Sequence, residues 1–173
     1  MKRLGGDAIG LYHFHRPDPR VAYADSLGAI HDLLDAGTIR FAGSSNANPD
    51  QIRLAQEILG GRLAAVQNQL SPGFRSSEPE LALCDELGIA FLPWSPLGGI
   101  ASASALGDRF APFQQVADAR GVSPQVICLA WQLAKSPHVI PIPGASRPES
   151  IRDSVQAADV TMSAEELAML DGA

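Results

Sequence analysis

Hydrophobic and polar residues follow two different periods along this chain. Short apolar runs are followed by longer stretches in which apolar residues recur every three or four positions. The first of the longer stretches carries its apolar residues at helical spacing and ends at a glycine: Tyr23, Leu27, Ile30, Leu34 and then Gly37. The pattern therefore predicts strands that alternate with helices.

Five strands are predicted, and each is followed by a helix. The strands cover residues 8–15, 38–46, 63–69, 89–99 (a strand with its loop) and 138–146. The predicted helix starts carry capping residues or an early proline: Asn48 with Pro49, Ser77 with Glu80, Ser123 with Pro124, and Ser163 with Glu166. Strict alternation with short connections predicts parallel βα units.

Two architectures compete for such a chain, a doubly wound open sheet and a (β/α) barrel. An open sheet gathers ligand groups near one switch point, whereas a barrel collects them from every strand onto one face. Polar or small residues follow all five strands, namely His15, Ser45 with Asn46, Gln67, Trp94 with Ser95, and Gly144 to Arg147. No G-x-G-x-x-G motif follows the first strand. The sequence thus favours a partial (β/α)8 TIM barrel of five parallel βα units, in a single domain over residues 1–173.

The amino-acid composition of the chain excludes some classes of binding partner. The 173 residues are 46% hydrophobic and carry a net charge of −6, which suits a buried core and argues against nucleic acid. No apolar run reaches the roughly 20 residues of a membrane span, so no membrane contact is expected. Cys84 and Cys128 lack metal-type spacing and fall in apolar helical patterns. They predict two reduced core cysteines in a cytoplasmic protein without a metal site.

The stretch VIPIPGASRPESI, residues 139–151, has the character of an anion-binding loop. An apolar strand end leads into Gly144 and Ser146, whose small side chains let backbone N–H groups approach a ligand. Arg147 adds a cation, and Pro148 suits the first turn of a helix. A strand, small-residue loop and helix N-terminus in this order predict a phosphate site.

Five segments, in order along the chain, resemble the aldo-keto reductases. KRLGGDAIGLYHFHRPDP resembles the family's fourth strand, IRFAGSSNAN the fifth-strand Gly-x-Ser-Asn motif and VQNQLSP the sixth-strand glutamine segment. LGIAFLPWSPLGG resembles the seventh-strand motif, and IPIPGASRPESI the last cofactor segment. The resemblance covers residues 3–171 and implies the C-terminal five-eighths of a (β/α)8 barrel, from the fourth strand onward.

The resemblance implies NADP(H)-dependent hydride transfer to a small-molecule carbonyl substrate. The family uses an Asp, Tyr, Lys and His tetrad, and only the histidine matches here, as His15. The other three belong to segments before the fourth strand. The C-terminal end of a strand cannot be assigned to any of the possible substitutes, which are Tyr12, Tyr23, Lys2 and Lys135. The resemblance therefore implies a truncated oxidoreductase that is inactive as this chain alone.

The resemblance also implies a set of cofactor contacts. Neutral groups for the nicotinamide carboxamide and a flat ring for stacking would come from Ser45, Asn46, Gln67 and Trp94. The pyrophosphate would lie on Ser95, Leu97 and Gly98, and the 2′-phosphate of NADP on Gly144, Ser146 and Arg147. Asp153 and Ser154 stand where the family often places Glu-Asn beneath the adenine.

Two other functions stay open. One is a non-catalytic nucleotide-binding or protein-interaction module of the same ancestry, and a less favoured one is an unrelated barrel enzyme that binds a phosphorylated substrate. A part-barrel should also expose two sheet edges and an apolar inward face that includes Leu11, His13, Phe41 and Val66. The expected result is self-association through those edges or one mobile flank.

Overall fold

The computed structural model describes residues 4–173. Residues 1–3 lie outside the described residues, and with them Lys2, where the first quoted segment begins. The chain divides into two compact units. The first unit holds the residues up to Asn68 together with Pro79–Phe91, and the second holds Gln69–Glu78 and Leu92–Ala173. The single domain over residues 1–173 stays a prediction.

The first unit is built on a parallel sheet of four strands in the order β1-β2-β3-β4. The strands are β1 (Ile9–Phe14), β2 (Ile39–Ser45), β3 (Leu63–Gln67) and β4 (Ala90–Phe91). Helices α1 (Tyr23–Asp35), α2 (Pro49–Ile58) and α3 (Glu78–Leu87) separate them along the chain. The first four predicted strands and their parallel pairing are thereby confirmed.

The register of the sheet decides which side chains share a face. Leu11 pairs with Phe41 and His13 with Gly43, so these residues lie on one face. A register shift between Ala42 and Gly43 then aligns Val66 with Ser44, on the opposite face, where Val66 is fully buried. The prediction that Val66 shares the face of Leu11 was wrong. Side chains alternate between the two faces of a sheet, so a shift of one residue in the pairing moves Val66 to the other face.

Helix starts follow the predicted capping residues. The Asn48 side chain accepts a hydrogen bond from the Gln51 N–H in a reciprocal capping box, and Ser163 forms the same arrangement with Glu166. The Ser123 hydroxyl accepts from the Val126 N–H. Helix α3 begins directly after Ser77, and the predicted box of Ser77 with Glu80 stays a prediction.

The second unit is helical around a buried aromatic core. Its helices are α4 (Ile100–Ala103), α5 (Leu106–Arg109), α6 (Ala111–Arg120), α7 (Pro124–Leu133), α8 (Pro148–Val155) and α9 (Ala164–Asp171), with a 3₁₀ turn at Gln156–Asp159. The rings of Phe113 and Trp131 meet edge to face with centroids 5.6 Å apart, and both side chains are fully buried. This core fixes α7, whose polar side chains hold a loop of the candidate site.

The fifth predicted strand, residues 138–146, forms no regular strand. It is an extended segment in which the Ile142 N–H donates to the Pro93 carbonyl at 3.2 Å. Pro141 and Pro143 lack a backbone N–H, so a continuous ladder cannot form along this segment.

The remaining expectations concern membranes, metals and cysteines. Within residues 4–173, no helix has the length and apolar character needed to cross a membrane. The same residues contain no cluster of three or more His, Cys, Asp or Glu side chains that could hold a metal ion. Cys84 and Cys128 are free and buried, and burial raises the pKa of each thiol to about 12.

Candidate functional site

Four of the predicted site residues meet at the C-terminal ends of β1, β2 and β3. The Asn46 side-chain amide donates to the backbone carbonyl of His15 at 2.9 Å and to the Ser45 hydroxyl oxygen at 3.1 Å. The Ser45 hydroxyl in turn donates to the backbone carbonyl of Gln67 at 2.6 Å. One network of hydrogen bonds, hereafter the Asn46 network, therefore joins the ends of three strands.

The backbone of Asn46 explains why an asparagine stands at this position. Its φ of 55° lies in the left-handed region, which asparagine tolerates better than most residues. The Asn46 N–H donates to the Gln67 carbonyl at 3.1 Å, which continues the sheet by one bond beyond β2. The turn thus directs the Asn46 amide toward the end of β1.

A buried asparagine that the sequence analysis missed supports the same edge. Asn68 accepts a hydrogen bond from the Ala47 N–H at 3.2 Å and donates to the Ala47 carbonyl at 2.8 Å. Both residues are buried, so these two bonds satisfy backbone groups that water does not reach. The available signal was an amide residue directly after a buried strand, in the segment VQNQ.

The two histidines of the first segment occupy different environments. His15 is exposed and follows β1 directly, so its imidazole is accessible at the end of the strand. His13 is half-buried, and burial lowers the pKa of its imidazole against the opposing effect of the Ser44 backbone. His13 lies against Gly43, its partner in the sheet.

We expect Gly43→Ala to destabilise the first unit. A Cβ on Gly43 would overlap both Cε1 and Nδ1 of His13, so the imidazole must move. Forcing a ring out of a packed site costs typically about 1–3 kcal/mol of unfolding free energy, which urea unfolding can measure.

Two further variants separate the steric effect of the new Cβ from the general effect of replacing a glycine in a strand. Gly10→Ala in β1 serves as the matched control, because no atom lies within 4 Å of its added Cβ. The His13→Ala background should remove most of the loss caused by Gly43→Ala. An equal loss with and without the imidazole would contradict the steric explanation.

The loop after β4 belongs to the second unit and is tightly turned. The Gly98 N–H donates to the Ser95 carbonyl at 2.9 Å, and both Ser95 (φ 50°) and Gly98 (φ 83°) have left-handed backbone angles. Leu97 is half-buried and packs against the core of the unit. Trp94, also half-buried, forms a parallel bridge with Gln69. The backbone of Trp94, Ser95 and Gly98 is therefore fixed by local bonds.

A buried glutamine on α7 holds the same loop and was also missed. The Gln132 side-chain amide donates to the Pro96 carbonyl at 2.8 Å, and the Cys128 thiol donates to the same oxygen at 3.4 Å. Gln132 is fully buried. A lone amide within the otherwise apolar run VICLAWQL was the signal that could have identified it.

The predicted phosphate loop lines a shallow groove in the second unit. The groove has a volume of about 510 Å³ and is lined by Pro143, Ala145, Ser146, Arg147, Pro148 and Ile151. Gly144, Ser146 and Arg147 are all exposed. Arg147 is the residue directly before α8, so its side chain stands at the start of that helix.

The two predicted adenine residues lie on α8. The Asp153 carboxylate accepts a hydrogen bond from the Ser123 hydroxyl at 2.7 Å, which ties α8 to the start of α7. Ser154 is half-buried. Asp153 therefore already has a structural partner in the second unit.

The tyrosines and Lys135, considered as substitutes for the tetrad, lie outside the Asn46 network. The Tyr23 hydroxyl hydrogen-bonds the Ser44 hydroxyl at 2.9 Å, and burial raises the pKa of Tyr23. Tyr12 pairs with Ala42, on the face opposite to His13. The Lys135 ammonium lies 3.0 Å from an Asp171 carboxylate oxygen and 4.3 Å from the Trp131 ring centroid.

Two curated relatives are similar to nearly the whole of this chain. The chain is 34% identical over 171 residues to an uncharacterised oxidoreductase of Schizosaccharomyces pombe, covering 99% of this chain and 54% of the relative. It is 30% identical over 167 residues to a 6-dehydroglucose reductase of Agrobacterium fabrum, covering 94% of this chain and 56% of the relative. The chain thus spans about half the length of the curated relatives it matches.

Solved structures show the same fold. A thermostable aldo-keto reductase, Tm1743, in complex with the inhibitor epalrestat matches with a TM-score of 0.89 and 29% identity, over 99% of this chain and 62% of that one. An aldo/keto reductase from Klebsiella pneumoniae in complex with NADP and acetate matches with a TM-score of 0.84 and 28% identity, over 99% and 60%. These likenesses confirm the predicted partial (β/α)8 barrel.

The family model described as the aldo/keto reductase family matches residues 1–173, the same span over which the five quoted segments occur in order. The resemblance inferred from those segments is confirmed, and this chain belongs to the aldo/keto reductase family.

Proposed function

We propose that the chain supplies the NADP(H)-binding part and the substrate-orienting histidine of a reductase that acts on aldehydes or ketones. The observation that carries this proposal is the Asn46 network, which places amide and hydroxyl groups beside the end of β1, where His15 stands. An accessible imidazole next to a polar strand end can hydrogen-bond a substrate carbonyl.

The residues of the first unit fit a nicotinamide carboxamide. That group is neutral and both donates and accepts hydrogen bonds, as do the side chains of Asn46, Gln67 and Ser45. The side chains of Asn46, Ser45 and Gln67 are themselves uncharged, which suits a neutral partner. Bound NADPH would supply the hydride, and His15 would orient the carbonyl.

The residues of the second unit fit the remainder of the cofactor. Trp94 offers a ring for stacking, and Ser95, Leu97 and Gly98 form a fixed turn for the pyrophosphate. Gly144, Ser146 and Arg147 supply small residues and a guanidinium at an open groove, which suits the 2′-phosphate of NADP. Asp153 and Ser154 on the next helix would lie beneath the adenine.

The relatives support a small carbonyl substrate and a phosphorylated dinucleotide. Two of them carry the name 6-dehydroglucose reductase, and the match from Novosphingobium aromaticivorans is 32% identical over 168 residues. Two Klebsiella pneumoniae structures are complexes with NADP or NADPH. We accordingly propose NADP(H) as the cofactor.

Arg147→Ala tests the cofactor assignment. Loss of a charge-assisted phosphate contact should cost about 1.5–3 kcal/mol of NADPH binding free energy, whereas NADH binding should barely change because NADH lacks the 2′-phosphate. Isothermal titration calorimetry of both dinucleotides measures the two effects. Equal losses for NADPH and NADH would contradict the role given to Arg147.

A second candidate function is nucleotide binding without turnover. It is favoured by the positions of Tyr23 and Lys135, whose polar atoms are bonded to Ser44 and to Asp171 rather than to the Asn46 network. Binding of NADPH by this chain without carbonyl reduction, even when a partner polypeptide is supplied, would support this candidate over the reductase.

We also propose a reducing, cytoplasmic environment. The two cysteines are free and buried, and their raised pKa values keep the thiols protonated and unreactive at neutral pH.

A further inference from the structure

We propose that Arg109 is a second cationic contact for the dinucleotide and binds its pyrophosphate. The inference rests on the proposed function, in which the turn from Ser95 to Gly98 lies beneath that pyrophosphate. Arg109 is the last residue of α5, in the second unit, and its side chain is exposed.

The guanidinium of Arg109 lies beside the turn itself. Its Nη1 atom is 3.8 Å from the point that a Cβ on Gly98 would occupy, and Nη2 is 3.9 Å from the same point on Gly73. Because both positions are glycines, no side chain stands between the guanidinium and the backbone of the turn. A phosphate seated on Gly98 would therefore be within reach of Arg109.

Neighbouring aromatic residues hold Arg109 in this place. Its guanidinium carbon lies 5.4 Å from the centroid of the Phe110 ring, a cation–π contact. The Phe110 ring is fixed from two sides, by the core ring of Phe113 at 6.3 Å and by Gly73, where Cζ lies 3.3 Å from the position of a Cβ. A side chain ordered before binding loses less entropy when the ligand arrives.

The guanidinium of Arg109 forms no ion pair within the described part of the chain. Arg75, Arg120 and Lys135 of the second unit all lie in ion pairs with carboxylates. In a chain of net charge −6, a local unpaired guanidinium is the kind of group that a dianionic pyrophosphate requires.

Arg109 and Arg147 should then be distinguishable by the phosphate each contacts. Calorimetry of the 173-residue chain with NADPH, NADH and adenosine 2′-monophosphate provides the three probes. Arg109→Gln should weaken NADPH and NADH binding by the same factor, about 10- to 100-fold, and leave adenosine 2′-monophosphate unchanged. Arg147→Ala should weaken NADPH and adenosine 2′-monophosphate and leave NADH unchanged.

Two control variants complete the experiment. Arg109→Lys keeps the charge without the bidentate geometry and should recover part of the affinity for both dinucleotides. Arg53→Gln removes the same charge from α2, where the side chain is 57% exposed and paired with Glu86, and should change no affinity by more than about twofold.

Each contrary result has a distinct meaning. Arg109→Gln with unchanged NADPH and NADH affinities would overturn the inference and leave the proposed function standing. A loss confined to NADPH and adenosine 2′-monophosphate would place Arg109 at the 2′-phosphate and overturn it too. If the unaltered chain binds neither dinucleotide, the proposed function itself fails, and the inference with it.

Discussion

With NADPH and a simple aldehyde, the 173-residue chain is expected to oxidise the cofactor at least about 10²- to 10⁴-fold more slowly than its Agrobacterium fabrum relative. Positioned proton transfer contributes a factor of this size. Neither tyrosine of the chain lies in the Asn46 network: Tyr23 is bonded to Ser44, and Tyr12 lies on the opposite face from His13. The hydride acceptor would therefore lack its proton donor.

Absorbance at 340 nm, with the Agrobacterium fabrum relative as positive control, measures the rate. His15→Ala should lower the residual rate only modestly, because the larger loss, that of the proton donor, is already present in the unaltered chain. Steady NADPH oxidation that His15→Ala abolishes would contradict the prediction. That result would mean that residues of this chain supply the proton after all.

The helix caps and the residues at the strand ends were the features most readily predicted from the sequence. The caps at Asn48, Ser123 and Ser163 involve residues three positions apart, so a short stretch of sequence contains both partners of each bond. Parallel pairing brings the ends of neighbouring strands to one edge of the sheet. The residues predicted at those ends therefore lie close together, namely His15, Ser45, Asn46 and Gln67.

Features that depend on non-local pairing could not be predicted in the same way. The face of Val66 depends on a register shift at Ala42 and Gly43 that no local pattern signals. The partners of Asn68 and Gln132, Ala47 and Pro96, lie 21 and 36 residues away along the chain. A buried amide in an apolar segment indicates that some partner exists, but only the fold identifies which one.

The unpaired edge of β1 leads to the last prediction, that this chain self-associates. Within the described residues, β1 pairs only with β2, so its other side presents free strand-pairing groups. The adjoining face exposes Leu11 (40%) and Phe41 (58%), side by side in the register. A groove of about 410 Å³ runs next to β1, lined by Tyr12 and Phe14 of the strand and Ala29, Ile30 and Leu33 of α1, among others.

The edge at residues 138–146 is less suited to this pairing than predicted. Pro141 and Pro143 remove two backbone donors, and prolines are one means by which proteins block an exposed strand edge. We therefore expect two copies to meet through β1, antiparallel across a twofold axis, rather than through the later segment.

The energetics predict a concentration-dependent dimer. Covering several hundred Å² of apolar surface at about 25 cal/mol per Å² stabilises by on the order of 10 kcal/mol, while association costs roughly 4–15 kcal/mol. Light scattering should show a mass that rises with protein concentration. Phe41→Glu should weaken the dimer, because it places a charge on the apolar face that adjoins the paired edge. Leu54→Glu, at a 37% exposed position on α2, should leave the dimer intact.

Hydrogen exchange provides the independent check on β1. In the dimer, the amides of residues 9–14 should be protected, and dilution or Phe41→Glu should reduce that protection together with the dimer. If the chain is a monomer at every concentration and the amides of β1 are weakly protected, the alternative expectation applies, in which the β1 flank of the sheet is mobile. A monomer protected uniformly along all four strands would contradict both, because it would mean that the exposed face of Leu11 and Phe41 is already covered within one chain.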